Sequence, residues 1–229
     1  MTKDKTKQLE QIQERIKQAC DKAGRAHDTV TLIGASKRQT HELIAQFAKH
    51  GLSDIGENYL QEAIEKQQQL KTVLLNWHFI GQVQSNKTKT IAENFSWVHG
   101  VDRLKIAKRI DQQNPHSDRK INLLIQLNPD NEDSKGGVPI TQLAELCAQI
   151  SDLNNVAIRG FMMIPKARTS IDEQRKVFGL AKEQLSLTNQ RYGLSLDSLS
   201  MGMSNDLEAA IAEGSTMVRI GTALFGARD

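Results

Sequence analysis

Hydrophobic positions follow two periodicities along the chain, and their alternation predicts helices and strands in turn. Leu9, Ile12, Ile16 and Ala19 recur at spacings of three and four, which is typical of one face of an amphipathic helix. Beyond this opening helix, short β-branched or apolar runs alternate with helical stretches. The predicted strands are 30–36, 52–56, 75–81, 95–100, 120–127, 156–164, 196–202 and 215–222. The predicted helices between them are 40–50, 58–70, 87–93, 102–113, 139–150, 171–190 and 206–214.

This order of elements predicts an α/β fold with a parallel sheet. Each of the eight strands is followed by a helix or by the end of the sequence, and tight hairpins do not join them. The run KINLLIQL at 120–127 is apolar on both faces, as a buried parallel strand should be. At 229 residues, a single (β/α)8 TIM barrel with an extra N-terminal helix fits better than an open doubly wound sheet. We therefore expect one domain over 1–229.

Composition narrows the class of protein without pointing to a partner. Hydrophobic residues make up 38% of the chain, which indicates a globular protein. The net charge is only +3, and basic and acidic residues are mixed along the chain with few aromatics between them, which favours a solvated surface over a nucleic-acid binding site. Cys20 and Cys147 are too few for a disulfide framework, and we expect both to be reduced and half-buried. The sequence has no apolar run long enough to span a membrane and no signal-peptide core, so we expect a cytoplasmic protein.

Lys37 ends the first predicted strand, in GASK. On spacing alone, a solvated lysine at a strand end is the favoured interpretation. The functional alternative is a Schiff-base lysine, because burial at a barrel mouth next to other cations lowers a lysine pKa and lets the amine attack an aldehyde.

Two loops rich in small polar residues follow the seventh and eighth strands. In SMGMSND at 200–206, Ser204 or Asn205 can cap the next helix, with Glu208 three residues after Asn205, or the loop can bind an anion. In RIGT at 219–222, Gly221 and Thr222 offer backbone N–H groups and a hydroxyl. The loops after strands seven and eight are the recurrent phosphate site of this fold, which favours a phosphate.

Two further polar residues lie within predicted strands. Arg219 shares a strand face with Met217 and Gly221, which would point into the barrel, so it forms either a structural ion pair or a hydrogen bond to a cofactor nitrogen. His78 on its own is more often a satisfied core histidine than a base or a ligand. We propose no metal site from the sequence, and it has no Rossmann, Walker or nucleophile-elbow motif.

Four motifs give the chain its resemblance to a known family, the pyridoxal phosphate homeostasis proteins. They are GASK at 34–37, IGENYLQE at 55–62, WHFIGQVQSNK at 77–87, and the long run from 199 to the end that begins LSMGMSND. The resemblance covers the chain after the first helix, and the third and fourth motifs are long and specific. This family is in turn similar to the barrel domain of alanine racemase and other fold-type III enzymes of pyridoxal 5'-phosphate (PLP).

The resemblance implies a role for eight residues, all in cofactor binding. Lys37 would form the Schiff base with PLP, and Arg219 would face the pyridine nitrogen. Contacts to the phosphate would come from Met203, Ser204, Gly221 and Thr222, and the lining of the pocket from Asn58 and His78. The family's usual A-V-S-K is replaced here by Gly34 and Ala35, which keeps the lysine in register, and the loop 131–137 matches the family in type but not at every residue.

The same resemblance raises the question of whether the protein catalyses. An arginine beside the ring nitrogen keeps that nitrogen unprotonated, which makes the ring a poorer electron sink. The sequence ends at Asp229 without the second domain of the racemases, so we expect neither their second base nor their lid.

The favoured function is thus a monomeric, reversible PLP carrier or regulator with no robust catalytic activity, exchanging the cofactor with PLP-dependent apoenzymes or PLP-synthesising enzymes. The alternatives are a PLP-dependent amino-acid racemase or related enzyme with a second base among His78, Tyr59 and Asn58, and a phosphate-binding barrel without a Schiff base. We expect no nucleic acid and no membrane as partners.

Overall fold

The computed structural model describes residues 6–116, 118–130 and 136–226. Eight parallel strands close into a barrel in chain order, with β8 paired to β1. The strands are β1 (Thr31–Ala35), β2 (Asp54–Glu57), β3 (Asn76–Phe79), β4 (Trp97–Val101), β5 (Ile121–Leu127), β6 (Val156–Met163), β7 (Ser198–Ser200) and β8 (Met217–Ile220). The predicted (β/α)8 barrel is therefore confirmed, and every strand bound agrees with the prediction to within two residues.

A helix follows each strand on the outside of the barrel, and one more precedes β1. They are α1 (Thr6–Lys22), α2 (His41–Lys49), α3 (Leu60–Gln69), α4 (Thr88–Asn94), α5 (Leu104–Gln113), α6 (Ile140–Ser151), α7 (Ile171–Tyr192), α8 (Leu207–Ala212) and α9 (Thr222–Phe225). The extra N-terminal helix is confirmed as α1. The sequence pattern did not predict the 3-10 turn at His27–Thr29 or the four-residue α9, because a segment of about one turn is too short to show a hydrophobic repeat.

Local signals explain several helix ends. The Thr40 side chain accepts a hydrogen bond from the Leu43 N–H and caps α2, and Pro139 occupies the position before α6. The start of α8 differs from the prediction: Asp206, and neither Ser204 nor Asn205, is the N-cap residue. The Asp206 carboxylate accepts a bond from the Met203 N–H at 2.6 Å instead of bonding into its own helix. Glu208, the expected capping-box partner of Asn205, pairs with Arg15.

Apolar residues fill the layer between the barrel and the helices. The predicted face of α1 (Leu9, Ile12, Ile16 and Ala19) is buried there. Cys20 and Cys147 are both in helices, as predicted, but both are fully buried instead of half-buried. Burial raises the pKa of the Cys147 thiol to about 12, so this thiol is inert as a nucleophile.

The barrel interior is only partly apolar. Four apolar residues from four strands pack together there, namely Ile33, Leu124, Met162 and Met217. A second set of interior residues is polar, and its members are Asp54, His78, His99, Ser200 and Arg219. Barrel interiors of this fold are usually filled with branched apolar side chains, so a polar set requires a functional or structural reason. In the described part of the chain, no helix is long and apolar enough to cross a membrane.

Candidate functional site

Lys37 follows β1 at the carboxyl end of the barrel, the end where active sites of this fold lie. Its side chain is half-buried and makes no ion pair or hydrogen bond with any residue that the structure describes. Because no carboxylate of the described residues holds it, the amine can move to meet a ligand at the barrel mouth.

A buried ion-pair cluster fixes the main chain on both sides of Lys37. The Lys66 Nζ atom, on α3, donates to the Ser36 carbonyl, to Glu57 Oε1 and to Glu62 Oε1, each at 2.6 Å. On the far side of Lys37, the backbone N–H of the next residue, Arg38, donates to Glu62 Oε1. The backbone of Arg38 is left-handed, with φ at 60°, a conformation that a side chain disfavours and that this anchor maintains.

Glu57 is the most buried member of this cluster. Its carboxylate is fully buried, accepts a bond from the Ser36 hydroxyl at 2.5 Å, and keeps Oε2 without a hydrogen-bond partner among the described atoms. Burial raises the pKa of Glu57 above its ordinary value, although the Lys66 charge and the bonds from Lys66 and Ser36 oppose this. The cluster lies between the sheet and α3, so it supports the lysine from outside the barrel.

The two residues that depart from the family's usual run, Gly34 and Ala35, are in close contact with their surroundings at the end of β1. A Cβ atom at Gly34 would lie 2.9 Å from Leu52 Cδ2 and 3.0 Å from Phe225 Cζ, so these side chains fill the space that a larger residue would need. On the inner face, Ala35 lies beside Gly221, where a Cβ would come 3.3 Å from the Ala35 carbonyl oxygen. The end of β1 is therefore in contact with the loop after β8.

Arg219 lies inside the barrel on β8 and is 5% exposed. Its Nη1 atom donates to the carbonyl and to the hydroxyl of Ser200, both at 2.6 Å, and its Nη2 atom donates to the Met163 carbonyl at 2.9 Å. Burial lowers the pKa of Arg219 to about 10, so the group stays cationic at neutral pH. No carboxylate among the described residues forms an ion pair with it, so the structural ion pair considered from the sequence is not present there.

Three of the five N–H donors of Arg219 are thus bonded to protein oxygens. The Nε donor and one Nη2 donor remain without a partner in the described structure. A buried cation with unused donors can bind an acceptor such as a ring nitrogen, and that bond would have little competition from water.

The loops after β7 and β8 bring the four predicted phosphate residues to one end of the barrel. Gly202 turns the chain with φ at 97°, where a Cβ would lie 2.7 Å from Ala210 Cβ, so only glycine fits. The Gly202 carbonyl accepts a bond from the Arg219 backbone N–H at 3.0 Å, which ties the first loop to β8. Met203 and Thr222 are exposed, and Ser204 and Gly221 are half-buried, so all four can be reached by a ligand.

The Met203 N–H is the exception among these donors, because it already bonds the Asp206 carboxylate. Burial raises the pKa of Asp206, while the bond from Met203 and the Arg219 charge oppose that rise. A phosphate that takes the Met203 N–H must first displace this carboxylate.

The extra helix α1 supports the first of these loops. The Arg15 side chain donates from Nη2 to the Ser204 carbonyl at 2.9 Å and pairs with Glu208 at 2.8 Å. Arg25, which follows α1, donates to the carbonyls of Ile211 in α8 and of Ser215 before β8, at 2.9 and 2.7 Å. The N-terminal helix therefore positions the loop between β7 and α8.

Asn58 and His78, the two residues predicted to line the pocket, lie in different places. Asn58 follows β2 and is half-buried, with its carbonyl so close to Gly81 that a Cβ there would lie 2.3 Å away. His78 is 1% exposed in the barrel interior, where one ring nitrogen contacts Asp54 and the other His99, each at 3.0 Å. Asn58 is at the mouth. His78 lies deeper, and its hydrogen bonds reach the mouth through His99, Ser200 and Arg219.

Sequence reasoning missed several residues of this region, namely Ser36, Glu57, Glu62, Lys66, His99 and Ser200. The Glu62–Lys66 spacing of four was a visible signal, but ion pairs at this spacing are usually exposed. His99 and Ser200 lie in predicted strands, where only the strand register shows that they face the interior. In the described ranges, no group of three or more metal-ligating side chains is placed to hold a metal. The loop residues 131–135, whose match to the family we noted, lie outside the described residues.

Together these features define a class: a (β/α)8 barrel with a lysine just after its first strand that has no partner among the described residues, and with two loops after its last two strands that an anion can reach. The model of the alanine racemase N-terminal domain matches residues 8–229. The chain is similar to the pyridoxal phosphate homeostasis protein of Pseudomonas aeruginosa, at 48% identity over 96% of this chain and 94% of that one. The protein of the same name from Escherichia coli K12 is 42% identical over 96% and 95%.

A solved structure agrees in fold. It is that of PipY from Synechococcus elongatus with PLP bound, which superposes with a TM-score of 0.81 at 36% identity, over 86% of this chain and 93% of that one. The chain belongs to the pyridoxal phosphate homeostasis protein family, within the larger group of alanine racemase N-terminal domains.

Proposed function

We propose that this protein binds pyridoxal 5'-phosphate reversibly, through a Schiff base on Lys37, and so manages its supply. The amine of Lys37 condenses with the aldehyde of the cofactor and releases one water, and hydrolysis of the C=N bond reverses the step. The observation that carries the proposal is the state of Lys37: its flanking backbone is anchored on both sides, while its amine has no partner among the described residues. The solved PipY structure with PLP bound, at 36% identity, supports the choice of cofactor.

The remaining residues of the mouth have distinct tasks in this proposal. Arg219 donates to the ring nitrogen from its unused N–H groups. Ser204, Gly221 and Thr222 hold the phosphate, with the Met203 N–H joining them when Asp206 moves away. Asn58 lines the pocket beside the ring. The whole chain, 1–229, then acts as one cofactor-binding domain, which the family match over residues 8–229 supports.

Two observations favour a carrier or regulator over a PLP enzyme. The relatives at 42–48% identity are named for homeostasis of the cofactor and not for a reaction. Of the three residues that could serve as a second base, His78 has both ring nitrogens occupied in the interior, Tyr59 is 52% exposed, and Asn58 is an amide without basic character. A racemase needs a base on each face of its substrate, and these side chains are poorly suited to that task.

A binding titration tests the cofactor assignment. The full-length protein is mixed with PLP, and the visible absorbance band of a Schiff base is followed in the wild type and in Lys37→Ala. We expect saturable formation of the band in the wild type and none in the variant. Lys49→Ala, which removes an exposed lysine from the last turn of α2, is the matched control and should bind like the wild type. No band in the wild type, or an equal band in Lys37→Ala, would contradict the proposal.

A second measurement separates carrier from enzyme. The PLP-bound protein is assayed for racemisation, transamination and decarboxylation of a panel of amino acids, and for reactivation of an added PLP-dependent apoenzyme. We expect reactivation of the apoenzyme and no sustained turnover. Turnover above about 1 per second, the low end of ordinary enzymes, would favour the racemase or a related enzyme instead.

A further inference from the structure

A chain of hydrogen bonds crosses the barrel interior and ends on Arg219. It starts at Asp54 Oδ1, which contacts His78 Nε2 at 3.0 Å, and continues from His78 Nδ1 to His99 Nε2 at 3.0 Å. His99 Nδ1 contacts the Ser200 hydroxyl at 2.9 Å, and that hydroxyl accepts from Arg219 Nη1 at 2.6 Å. We name these five residues the relay. Four different strands, β2, β3, β4 and β7, thus contribute one side chain each before the chain of bonds reaches β8.

The direction of every bond in the relay is fixed by its two ends. An arginine only donates and an ionised carboxylate only accepts. Because Arg219 donates to the Ser200 hydroxyl, the hydroxyl proton goes to its remaining partner in the described structure, His99 Nδ1. The His99 proton is then on Nε2 and is donated to His78 Nδ1, and the His78 proton is on Nε2 and is donated to Asp54. All bonds run from Arg219 to Asp54, and both rings are neutral tautomers with the proton on Nε2.

The surroundings of His99 favour its neutral form. His99 is completely buried, and burial, with the nearby Arg219 charge, lowers its pKa well below the ordinary value. Asp54 is ionised, since hydrogen bonds from His78, Ser53 and Asn76 outweigh the effect of burial and lower its pKa. Two other charged groups lie near the rings, Arg159 and Asp197, and they form an ion pair with each other. The Arg159 guanidinium lies over the Trp97 ring, 5.3 Å from its centroid. Trp97 itself stacks on His78 with the ring planes 12° apart.

The two ends of the relay open on opposite sides of the barrel. Asp54 is the first residue of β2, at the amino-terminal end, and lines a cleft of about 380 Å³ there together with Ser53, Thr31 and His27. Arg219 is next to the carboxyl-terminal mouth, because the residue two further on is Gly221 in the mouth loop. A change in the charge or hydrogen bonding of Asp54 therefore has a continuous hydrogen-bonded path to the mouth.

We propose that Asp54, His78, His99 and Ser200 are positioning residues for Arg219, which they hold through one directional relay so that its unused donors face the mouth. The proposal rests on the proposed function, in which those donors bind the ring nitrogen of PLP. With the Ser200 hydroxyl and carbonyl taking both protons of Nη1, and the Met163 carbonyl taking one of Nη2, the guanidinium plane has one orientation left.

The direction of the relay has a consequence for protons. If Asp54 is replaced by a group that cannot accept, the His78 Nε2–H loses its partner, and the protons of both rings can move to Nδ1. The Ser200 hydroxyl then faces N–H donors from both His99 and Arg219, and its own proton has no acceptor in the described structure. A change at the amino-terminal end of the barrel would in this way loosen Arg219 at the mouth.

The tautomers are measured first, in the full-length protein without cofactor, by the ring ¹⁵N chemical shifts of labelled histidine. The signals of His78 and His99 are assigned by their loss in His78→Gln and His99→Gln. We expect both rings to be neutral and protonated on Nε2 at neutral pH. A proton on Nδ1 of either neutral ring, or an imidazolium, would overturn the relay irrespective of whether PLP binds.

Cofactor binding is measured next in Ser200→Ala, which removes the hydroxyl and leaves the backbone carbonyl that Arg219 also bonds. We expect PLP affinity to fall about tenfold, the equivalent of one hydrogen bond to a charged group. Ser198→Ala is the matched control, since Ser198 is a buried serine of the same strand whose hydroxyl donates to Asp197 instead. Equal affinities in the two variants would overturn the positioning role.

Asp54→Ala gives a test that does not touch the mouth, because it leaves the His78 Nε2–H without its acceptor. We expect the ¹⁵N shifts of His99 to change and PLP affinity to fall about threefold, while Ser53→Ala leaves both close to the wild type. Unchanged His99 shifts in Asp54→Ala would overturn the relay. A wild-type protein that does not bind PLP at all would instead refute the proposed function. The histidine tautomers, which are measured without cofactor, would still test the relay.

Discussion

Lys37 and Arg219 lie in the same mouth, but the protein supports them in opposite ways. Behind Lys37, charged side chains outside the barrel hold the backbone of Ser36 and Arg38, and the lysine side chain itself has no partner among the described residues. Arg219 has its side chain held, by oxygens inside the barrel, and Ser200 contributes two of the three contacts. One site fixes the main chain and leaves the side chain free, and the other fixes the side chain.

The difference fits the tasks that we propose for the two residues. A nucleophilic amine must approach an aldehyde, form a bond and release it again, so it needs a defined origin and a mobile end. A donor to a ring nitrogen forms no covalent bond, and it is most effective when its geometry is set before the ligand arrives. The comparison predicts that changes behind Lys37 mainly reduce stability, whereas changes around Arg219 mainly reduce cofactor affinity.

The largest expected effect is on the lysine side, in Lys66→Met. The change removes the cation from a cluster in which Glu57 is fully buried, and breaking a buried ion pair by removing one partner costs about 3–5 kcal/mol. We expect the free energy of unfolding, measured by chemical denaturation, to fall by this amount. Lys89→Met is the control, because Lys89 forms an exposed pair with Glu93 at 4.0 Å, and it should cost less than about 0.5 kcal/mol. A small loss in Lys66→Met would mean that the cluster does not anchor the strand end.

The second comparison uses Arg219→Met, which keeps length and apolar volume on the arginine side. The variant loses the donors proposed for the ring nitrogen, so we expect PLP affinity to fall about 100-fold, near the upper range for a hydrogen bond to a charged group. The denaturation midpoint should fall less than in Lys66→Met. The partners that Arg219→Met leaves behind, the Ser200 hydroxyl and the Met163 carbonyl, are neutral, whereas Lys66→Met leaves a buried carboxylate. Unchanged PLP affinity in Arg219→Met would mean that Lys37 and Arg219 do not bind the same ligand.

The acids of the two regions should respond to pH in opposite directions. Glu57 has a pKa raised by burial, so its favourable contribution is complete below about 4.3, the ordinary value, and is lost as pH rises through the raised pKa. Asp54 has a lowered pKa, so its contribution is present above about 3.9 and is lost as pH falls through the lowered pKa.

Denaturation of the wild type, Glu57→Gln and Asp54→Asn over a pH series measures both effects. The stability of the wild type relative to Glu57→Gln should decline as the solution becomes more alkaline than the ordinary glutamate pKa. Relative to Asp54→Asn, it should decline as the solution becomes more acidic than the ordinary aspartate pKa. Two difference curves of the same sign would contradict the assignment of opposite environments to these carboxylates.

The smallest expected effect comes from α1, in Arg15→Met. Arg15 bonds the Ser204 carbonyl and pairs with Glu208, but the pair is more than one third exposed. We expect PLP affinity to fall only about twofold, because exposed ion pairs contribute little and the loop keeps its bond from Met203 to Asp206. A loss as large as that in Ser200→Ala would show that the contact of α1 with the phosphate loop contributes as much to binding as the support of Arg219.

The sequence predicted the order of elements and the barrel, since the strand and helix periods are strong and the connections contain no hairpins. The fold rule also made Lys37, Arg219 and the two loops candidates, because it points to the carboxyl ends of the strands, while their roles in cofactor binding came from the family resemblance and stay predictions. It failed at the start of α8: Ser204 and Asn205 are both good capping residues, but Asp206 occupies the cap position and turns its carboxylate back to Met203.

The supports of both residues depend on tertiary contacts that a periodic pattern does not contain. Lys66 has an ordinary helical spacing to Glu62, and only the packing of α3 on the ends of β1 and β2 shows that it is buried beside Glu57. His99 and Ser200 are 101 residues apart in sequence, and their contact follows from barrel closure. A regular period of two would also misplace part of β4, because the register between β4 and β5 shifts between Val98 and Val101.

One measurement tests most directly that the free lysine at the end of β1 is the cofactor site. The full-length protein is incubated with PLP, reduced with borohydride to make the C=N bond permanent, digested, and analysed by mass spectrometry for the lysine that carries the pyridoxyl group. We predict that Lys37 carries the label at stoichiometric amounts while Lys66, held by its three acceptors, carries none. Labelling of other lysines with Lys37 unmodified, or no stoichiometric label at all, would contradict the account.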